Sequence, residues 1–135
     1  MAKPNPKDRY YSRDHEWLIY YSDGTALIGI TDYAQEMLTD IVFVDLPEIG
    51  RRVVQHATVA VVESVKSVSD VFAPVSGEVI EVNTRLEETP ELINQDAFGE
   101  GWIVKMIVED PEELNMLLTA ADYEEMLNEE KEEKE

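Results

Sequence analysis

The stretch Val59-Ala60-Val61-Val62-Glu63-Ser64-Val65-Lys66-Ser67-Val68-Ser69-Asp70 decides how the chain is read. It opens as an almost unbroken apolar run, largely β-branched, which suits a buried strand. It then breaks into small hydroxyl residues, with one lysine in the middle of the break. Lys66 is isolated: no other Lys or Arg lies between Arg52 and Arg85, in a chain with 11 cationic against 30 acidic residues. A strand that ends by lifting a single amine out of a polar turn is a means of presenting that amine. A primary amine can take an acyl group from an activated donor, and the lysine stem then becomes the first part of a flexible tether. The flanking valines supply a rigid base, Ser64, Ser67 and Ser69 leave the tip unobstructed, and Glu63 and Asp70 add charge for recognition by a modifying enzyme. On the residues alone, an attachment point and a plain solvated turn lysine stay equally open. A Schiff-base role is disfavoured, because nothing apolar or cationic around an exposed turn would depress the amine's pKa.

Upstream of that stretch, residues 41–46 read as a strand stopped by Pro47 and turned near Gly50, and residues 51–55 and 57–63 as extended pieces around His56. Earlier still, residues 10–19 enter a strand, Ser22-Asp23-Gly24 is a tight hairpin signal, and residues 25–30 return. Thr31 caps a short helix whose apolar stripe is Ala34, Met37 and Leu38, closed by Thr39-Asp40. Downstream, residues 71–73 end at Pro74, Ser76-Gly77 bends the chain, and residues 78–82 form a strand. Thr89-Pro90-Glu91 opens a helical turn through Leu92 and Ile93, residues 94–101 are a loop, and residues 102–108 are the last strand. Asp110-Pro111-Glu112-Glu113 is a capping pattern for a helix facing Leu114, Leu117 and Leu118 inward. Thr119 recaps a second helix over 120–127, with Tyr123, Met126 and Leu127 inward. A faint echo between residues 42–62 and 74–108, each with strand, Pro and Gly turn, and return, favours two facing hairpin units closed over one core.

At 135 residues the chain has room for one proper core, so residues 1–135 read as a single domain with a loose arm at 1–8 and an acidic tail at 128–135 that should fray. The net charge of -19 argues against nucleic acid and anionic membranes and for partners with basic docking surfaces. No cysteine is present, which excludes a thiol nucleophile, disulfides and cysteine metal sites. Neither a signal peptide nor a bilayer-spanning run is visible, which fits a cytoplasmic protein or a mature organellar form. Gly24, Gly77, Gly99 and Gly101 lack phosphate-loop spacing, so nucleotide binding is rejected. His15 and His56 lie in separate segments, and a structural hydrogen bond is preferred to a metal for His15. Trp17 and Trp102 are expected to close the ends of the core, and Tyr33 either covers the first helix or faces a partner.

Residues 63–70 are also where a resemblance becomes specific. With Asp14-His15-Glu16-Trp17, Gly29-Ile30-Thr31-Asp32-Tyr33-Ala34-Gln35, Val71-Phe72-Ala73-Pro74-Val75-Ser76-Gly77-Glu78, Asn83, Pro90-Glu91-Leu92-Ile93-Asn94 and Gly99-Glu100-Gly101-Trp102, the chain resembles the H-protein family of the glycine cleavage system from about Tyr10 to Leu127. That resemblance implies a mainly β fold, the barrel-sandwich hybrid of lipoyl and biotinyl domains, with short peripheral helices and C-terminal helices. It implies lipoic acid joined covalently to Lys66, and a non-catalytic carrier rather than an enzyme. The carrier would take an aminomethyl group from the decarboxylating P protein, pass it to the T protein, and present a dihydrolipoyl arm to the L protein. A lipoate ligase or a lipoyl or octanoyl transferase would be a further partner, with Glu63 and Asp70 recognised. An acidic cleft beside the hairpin would hold the loaded arm's amine, and Glu16, Ser67 and Asp70 are the residues expected to line it. One departure is local: Val53-Val54-Gln55-His56-Ala57 lacks the Lys-Gly-type turn common in the family at this place. Alternatives are a lipoyl relay in lipoate metabolism and an unmodified interaction module. A biotin carrier ranks low, because Lys66 is flanked by Val65 and Ser67 rather than methionine.

Overall fold

A computed structural model describes residues 3–134, so Met1 and Ala2 of the expected arm and Glu135 of the expected tail lie outside the described residues. Nine strands form two antiparallel sheets among the described residues. In chain order these are β1 (Tyr10–Tyr11), β2 (Glu16–Tyr20), β3 (Thr25–Ile30), β4 (Ile41–Asp45), β5 (Arg52–Val53), β6 (Thr58–Ser64), β7 (Val68–Phe72), β8 (Gly77–Val82) and β9 (Val104–Val108). The larger sheet runs β1-β2-β3-β9-β8-β5 and the smaller β4-β6-β7. One core draws on both: Leu18, Ile28 and Ile30 from β2 and β3, Val44 and Val62 from β4 and β6, Val104 and Met106 from β9. This is the expected mainly β barrel-sandwich hybrid. Side chains alternate into that core along β8 and β9, whereas β2 and β3 bury residues on both faces and register shifts interrupt the alternation of β4 and β6; burying each large side chain contributes about 1.5–3 kcal/mol.

The helices sit at the margins: α1 (Asp32–Leu38), α2 (Arg85–Glu88), α3 (Leu92–Gln95) and α4 (Ala120–Lys134), with a 3-10 turn at Pro111–Met116. The caps expected at Thr31 and Asp110 form, whereas the one expected at Thr89 does not: Glu91 takes the N-cap position of α3 and makes no side-chain cap bond. Thr31 Oγ1 accepts from Ala34 N at 3.2 Å, and Asp110 Oδ1 from Glu112 N at 3.1 Å. Three further helical details differ from the sequence reading. The one-turn α2 was not anticipated, because Thr84 makes no side-chain cap bond and Leu86 is its single buried anchor. The segment opened by Asp110 winds as a 3-10 turn, with only Leu114 buried. The last helix continues past Leu127 to Lys134. At the other end, Lys3 N donates to Asp32 Oδ2 at 2.8 Å and Tyr11 OH donates to Pro6 O, so residues 3–6 lie against the body of the fold.

A second core lies where α4 crosses the larger sheet: Tyr11, Trp17, Ala120, Tyr123 and Met126. Tyr11 and Tyr123 stack with centroids 4.9 Å apart. Trp17 is fully buried, its Nε1 donating to Ala97 O at 2.9 Å, and Trp102 packs at the edge of the same cluster. Residue 29 must be glycine because a Cβ there would lie 2.7 Å from the Trp17 ring. At the local departure, His56 takes φ 75°, the left-handed backbone that glycine adopts without cost, so a turn of glycine type is built there on a histidine.

Candidate functional site

Lys66 stands at the tip of the β6–β7 hairpin, exposed, in a turn held by one small side chain. Ser64 Oγ accepts from Lys66 N at 3.2 Å and from Ser67 N at 3.0 Å, and donates to Ser67 O at 3.1 Å. Ser64 N donates to Ser67 O at 2.8 Å, and Val65 N donates to Asp40 O at 3.0 Å. The serine expected only to leave space also builds the turn, and the α1–β4 connection braces it from outside. The Lys66 ammonium reaches back to the end of α1, where Nζ donates to Met37 O at 3.3 Å.

Met37 and Leu38 form one wall of a groove of about 250 Å³. Asp14, His15, Tyr33, Ala34, Ser69 and Glu130 complete it, so it has an apolar side and a polar, carboxylate-bearing side. His15 holds the junction to α4: Nδ1 lies 2.8 Å from Tyr123 OH, Nε2 lies 3.8 Å from Glu130 Oε2, and the ring centroid is 5.0 Å from that of Tyr33. Tyr123 OH also meets Thr31 Oγ1 at 2.7 Å, and burial pushes its phenol pKa up. A structural hydrogen bond was expected of His15, and it makes one. A larger hollow, about 780 Å³ and lined by Asp45 to Arg51 and Thr58 to Val61, lies at the opposite end of β6 from the lysine.

Of the residues expected to line a cleft, Ser67 shares the turn with Lys66, but Glu16, Ser67 and Asp70 are not walls of this groove. Glu16 is 1% exposed. Its Oε1 accepts from Ser12 Oγ and its Oε2 from Phe72 N at 3.1 Å, tying β2 to β7. Burial pushes its carboxyl up to about 7, against the pull of the Ser12 and Phe72 donors and with a small push from Asp14. Asp70 pairs with Val61, which pairs with Asp45; Glu63 pairs with both Phe43 and Val68. Strand alternation therefore puts Glu63 and Asp70 on the outward face of the small sheet and Ser69, paired with the buried Val62, on the other. Asp14, Ser69 and Glu130 were missed as groove residues. Strand alternation at Ser69 could have been read from the hairpin, whereas the approach of Glu130 depends on the packing of α4.

The site fits an acyl group on Lys66. The amine is exposed on a braced turn, and the adjacent groove offers aliphatic contact along Ala34, Met37 and Leu38 with carboxylates at hand. Such a groove suits a chain with an apolar body and a cationic end. Among the described residues, no group of three or more His, Cys, Asp and Glu could hold a metal ion, and no helix is long and apolar enough to cross a membrane.

Comparison with known proteins gives a consistent match. A model of the family described as glycine cleavage H-protein matches residues 9–130. A glycine cleavage system H protein of Thermus thermophilus is 55% identical over 125 residues, 93% of this chain and 97% of that protein. One from Escherichia coli O7:K1 is 50% identical over the same shares of the two chains, 93% and 97%. Among solved structures, a glycine cleavage system H protein from Mycobacterium marinum superposes with a TM-score of 0.79 at 41% identity, covering 88% of this chain and 95% of that one.

Proposed function

This chain belongs to the glycine cleavage H-protein family, and we propose that within it Lys66 is the residue to which the lipoyl group is joined. The chain is a lipoyl carrier of the glycine cleavage system. The observation that carries the assignment is the position of Lys66, alone at the tip of a braced hairpin with its Nζ 3.3 Å from Met37 O at the mouth of the groove. When bound, the lipoyl group supplies a reducible disulfide on a long arm that takes up and gives up a one-carbon amine.

The chain's own residues supply position and shelter. Ser64 and Asp40 keep the turn from flexing, so motion is confined to the lysine stem and what it bears. Tyr33, Ala34, Met37 and Leu38 exclude water along one side of the groove. Asp14 and Glu130 hold a protonated amine by charge, and the negative field of the whole chain strengthens that attraction. Glu16 acts beneath them: its carboxyl fixes the β7 backbone at Phe72, and therefore the strand that carries Ser69 and Asp70. Glu63 and Asp70, facing outward beside the hairpin, are available to an approaching lipoylating enzyme, a lipoate ligase or a lipoyl or octanoyl transferase.

The catalytic steps belong to partners: a decarboxylating P protein, an aminomethyl-transferring T protein and a dihydrolipoyl-oxidising L protein, with this chain visiting each as a single carrier domain. Its bacterial relatives support a cytoplasmic place of work. Reconstitution with purified P, T and L proteins tests the reading. Fully lipoylated wild type should support glycine turnover, and Lys66→Arg, folded by circular dichroism, should support none. Lipoylated wild type that fails to turn over, or a Lys66→Arg chain that succeeds, overturns it.

A further inference from the structure

Three elements meet around Lys66, and each leaves large apolar side chains in solvent. Met37 lies in the last turn of α1 (47% exposed), Val42 and Phe43 lie on β4 (52% and 51%), and Val65 and Val68 flank the lysine on the hairpin (69% and 64%). Among the described residues, these are five of the eleven large hydrophobics that are exposed. They are not scattered. Phe43, Glu63 and Val68 lie side by side across β4, β6 and β7, Ile41 pairs with Ser64 at the base of the turn, and Val65 N is bonded to Asp40 O. The neighbouring row on the same face is Asp45, Val61 and Asp70. Apolar side chains thus lie about the base of the hairpin that carries Lys66, with Glu63 between Phe43 and Val68 and with Asp45 and Asp70 in the next row. A cluster of exposed apolar side chains bordered by charge is the composition of a docking surface.

We propose that this collar, Val42 and Phe43 of β4 together with Val65 and Val68, is the surface read by the enzyme that acylates Lys66, through an apolar mouth rimmed by cations. The inference rests on Lys66 being the lipoyl site and goes beyond it, because β4 lies outside the hairpin. Reach decides among the possible partners. To acylate Lys66, an enzyme must bring an activated acyl carbonyl, as an adenylate or thioester, to Nζ itself. The deprotonated amine attacks that carbon and a C–N bond forms. The bond to the activating group breaks, that group leaves with the electron pair, and the amine's remaining surplus proton passes to the leaving group or to solvent. An enzyme seated at Nζ meets Val65 and Val68 on the hairpin itself and, beside them, the start of β4, which is joined to the turn through Asp40 O–Val65 N and the Ile41–Ser64 pair. The partners that later work at the far end of the arm have no such requirement. Charge points the same way: Glu63, Asp45 and Asp70 would meet a cationic rim, steering encounter at low salt.

The test is the initial rate of lipoylation by lipoate ligase, read by intact mass, for wild type, Phe43→Ser, Val42→Ser/Phe43→Ser and Ile107→Ser. The last removes an exposed apolar side chain on β9, away from the hairpin. Loss of a central apolar anchor should lower kcat/KM about tenfold through KM, and the double variant more, while Ile107→Ser matches wild type. Added salt should slow wild type, and Asp45→Lys/Asp70→Lys should weaken that salt dependence. Thermal melts keep loss of fold apart from loss of docking. Folded Phe43 variants lipoylated as fast as wild type overturn the proposal. So does an equal loss in Ile107→Ser, or a change in sedimentation alone, which would assign the collar to a second copy of this chain. A wild type that takes no lipoyl group overturns the assignment of Lys66 instead.

Discussion

Glu16 offers a perturbation whose size follows from the structure. Its carboxyl is 1% exposed and is pushed up to about 7 from an ordinary 4.5 by burial. The folded chain therefore keeps a proton between those values that the unfolded chain has released, so stability falls as pH rises through that window. At 1.36 kcal/mol per pH unit the gap from 4.5 to about 7 amounts to about 3 kcal/mol, lost in full above the folded value. Glu16→Gln removes the titration while filling the same space and keeping an acceptor for Phe72 N. In urea titrations, the variant should gain about 3 kcal/mol on wild type between about pH 5 and about pH 8, roughly 10 °C in Tm. Comparing variant with wild type at each pH cancels the other carboxylates. A stability difference between the two that stays constant from pH 5 to pH 8, or a wild type that improves relative to the variant as pH rises, would refute the reasoning.

Gly77→Ala should cost about 3 kcal/mol in thermal melts, since the added Cβ would lie 2.0 Å from Ile107 O in the β8–β9 ladder. Gly29→Ala should change Trp17 fluorescence as well as stability, because its Cβ meets that ring at 2.7 Å. Tyr123→Phe removes the hydroxyl shared by His15 and Thr31 and should cost about 1–2 kcal/mol. In the same variant, the His15 ring resonances should broaden or shift, and unchanged histidine spectra would contradict the His15–Tyr123 contact.

The strands were legible because their patterns agree with their neighbours: residues 25–30 are β3 to the residue, and the alternation in 78–82 marks β8. Lys66 stands out in the sequence for a chemical reason, as a lone cation in a polar break, and the lipoyl cargo proposed for it is what the resemblance implies. Less legible were features made by distant packing. Nothing local about Glu16 distinguishes a groove wall from a carboxyl buried under Phe72, 56 residues away. The groove itself needs Asp14, Tyr33, Ser69 and Glu130, which four separate elements or loops bring together. The continuation of α4 to Lys134 was missed because its last turns carry no apolar stripe, the signal by which helices were read. The collar escaped notice for the opposite reason. Val42, Phe43 and Val68 have the apolar character of core residues, and only the observed pairing shows them facing out.

The central claim is that one amine bears the arm. Peptide mapping by tandem mass spectrometry after incubation with lipoate, ATP and lipoate ligase addresses it directly. The account predicts one lipoyl increment, on the peptide containing Lys66 and on no other lysine, and its disappearance in Lys66→Ala. An increment on any other residue, or one that survives in Lys66→Ala, would contradict it.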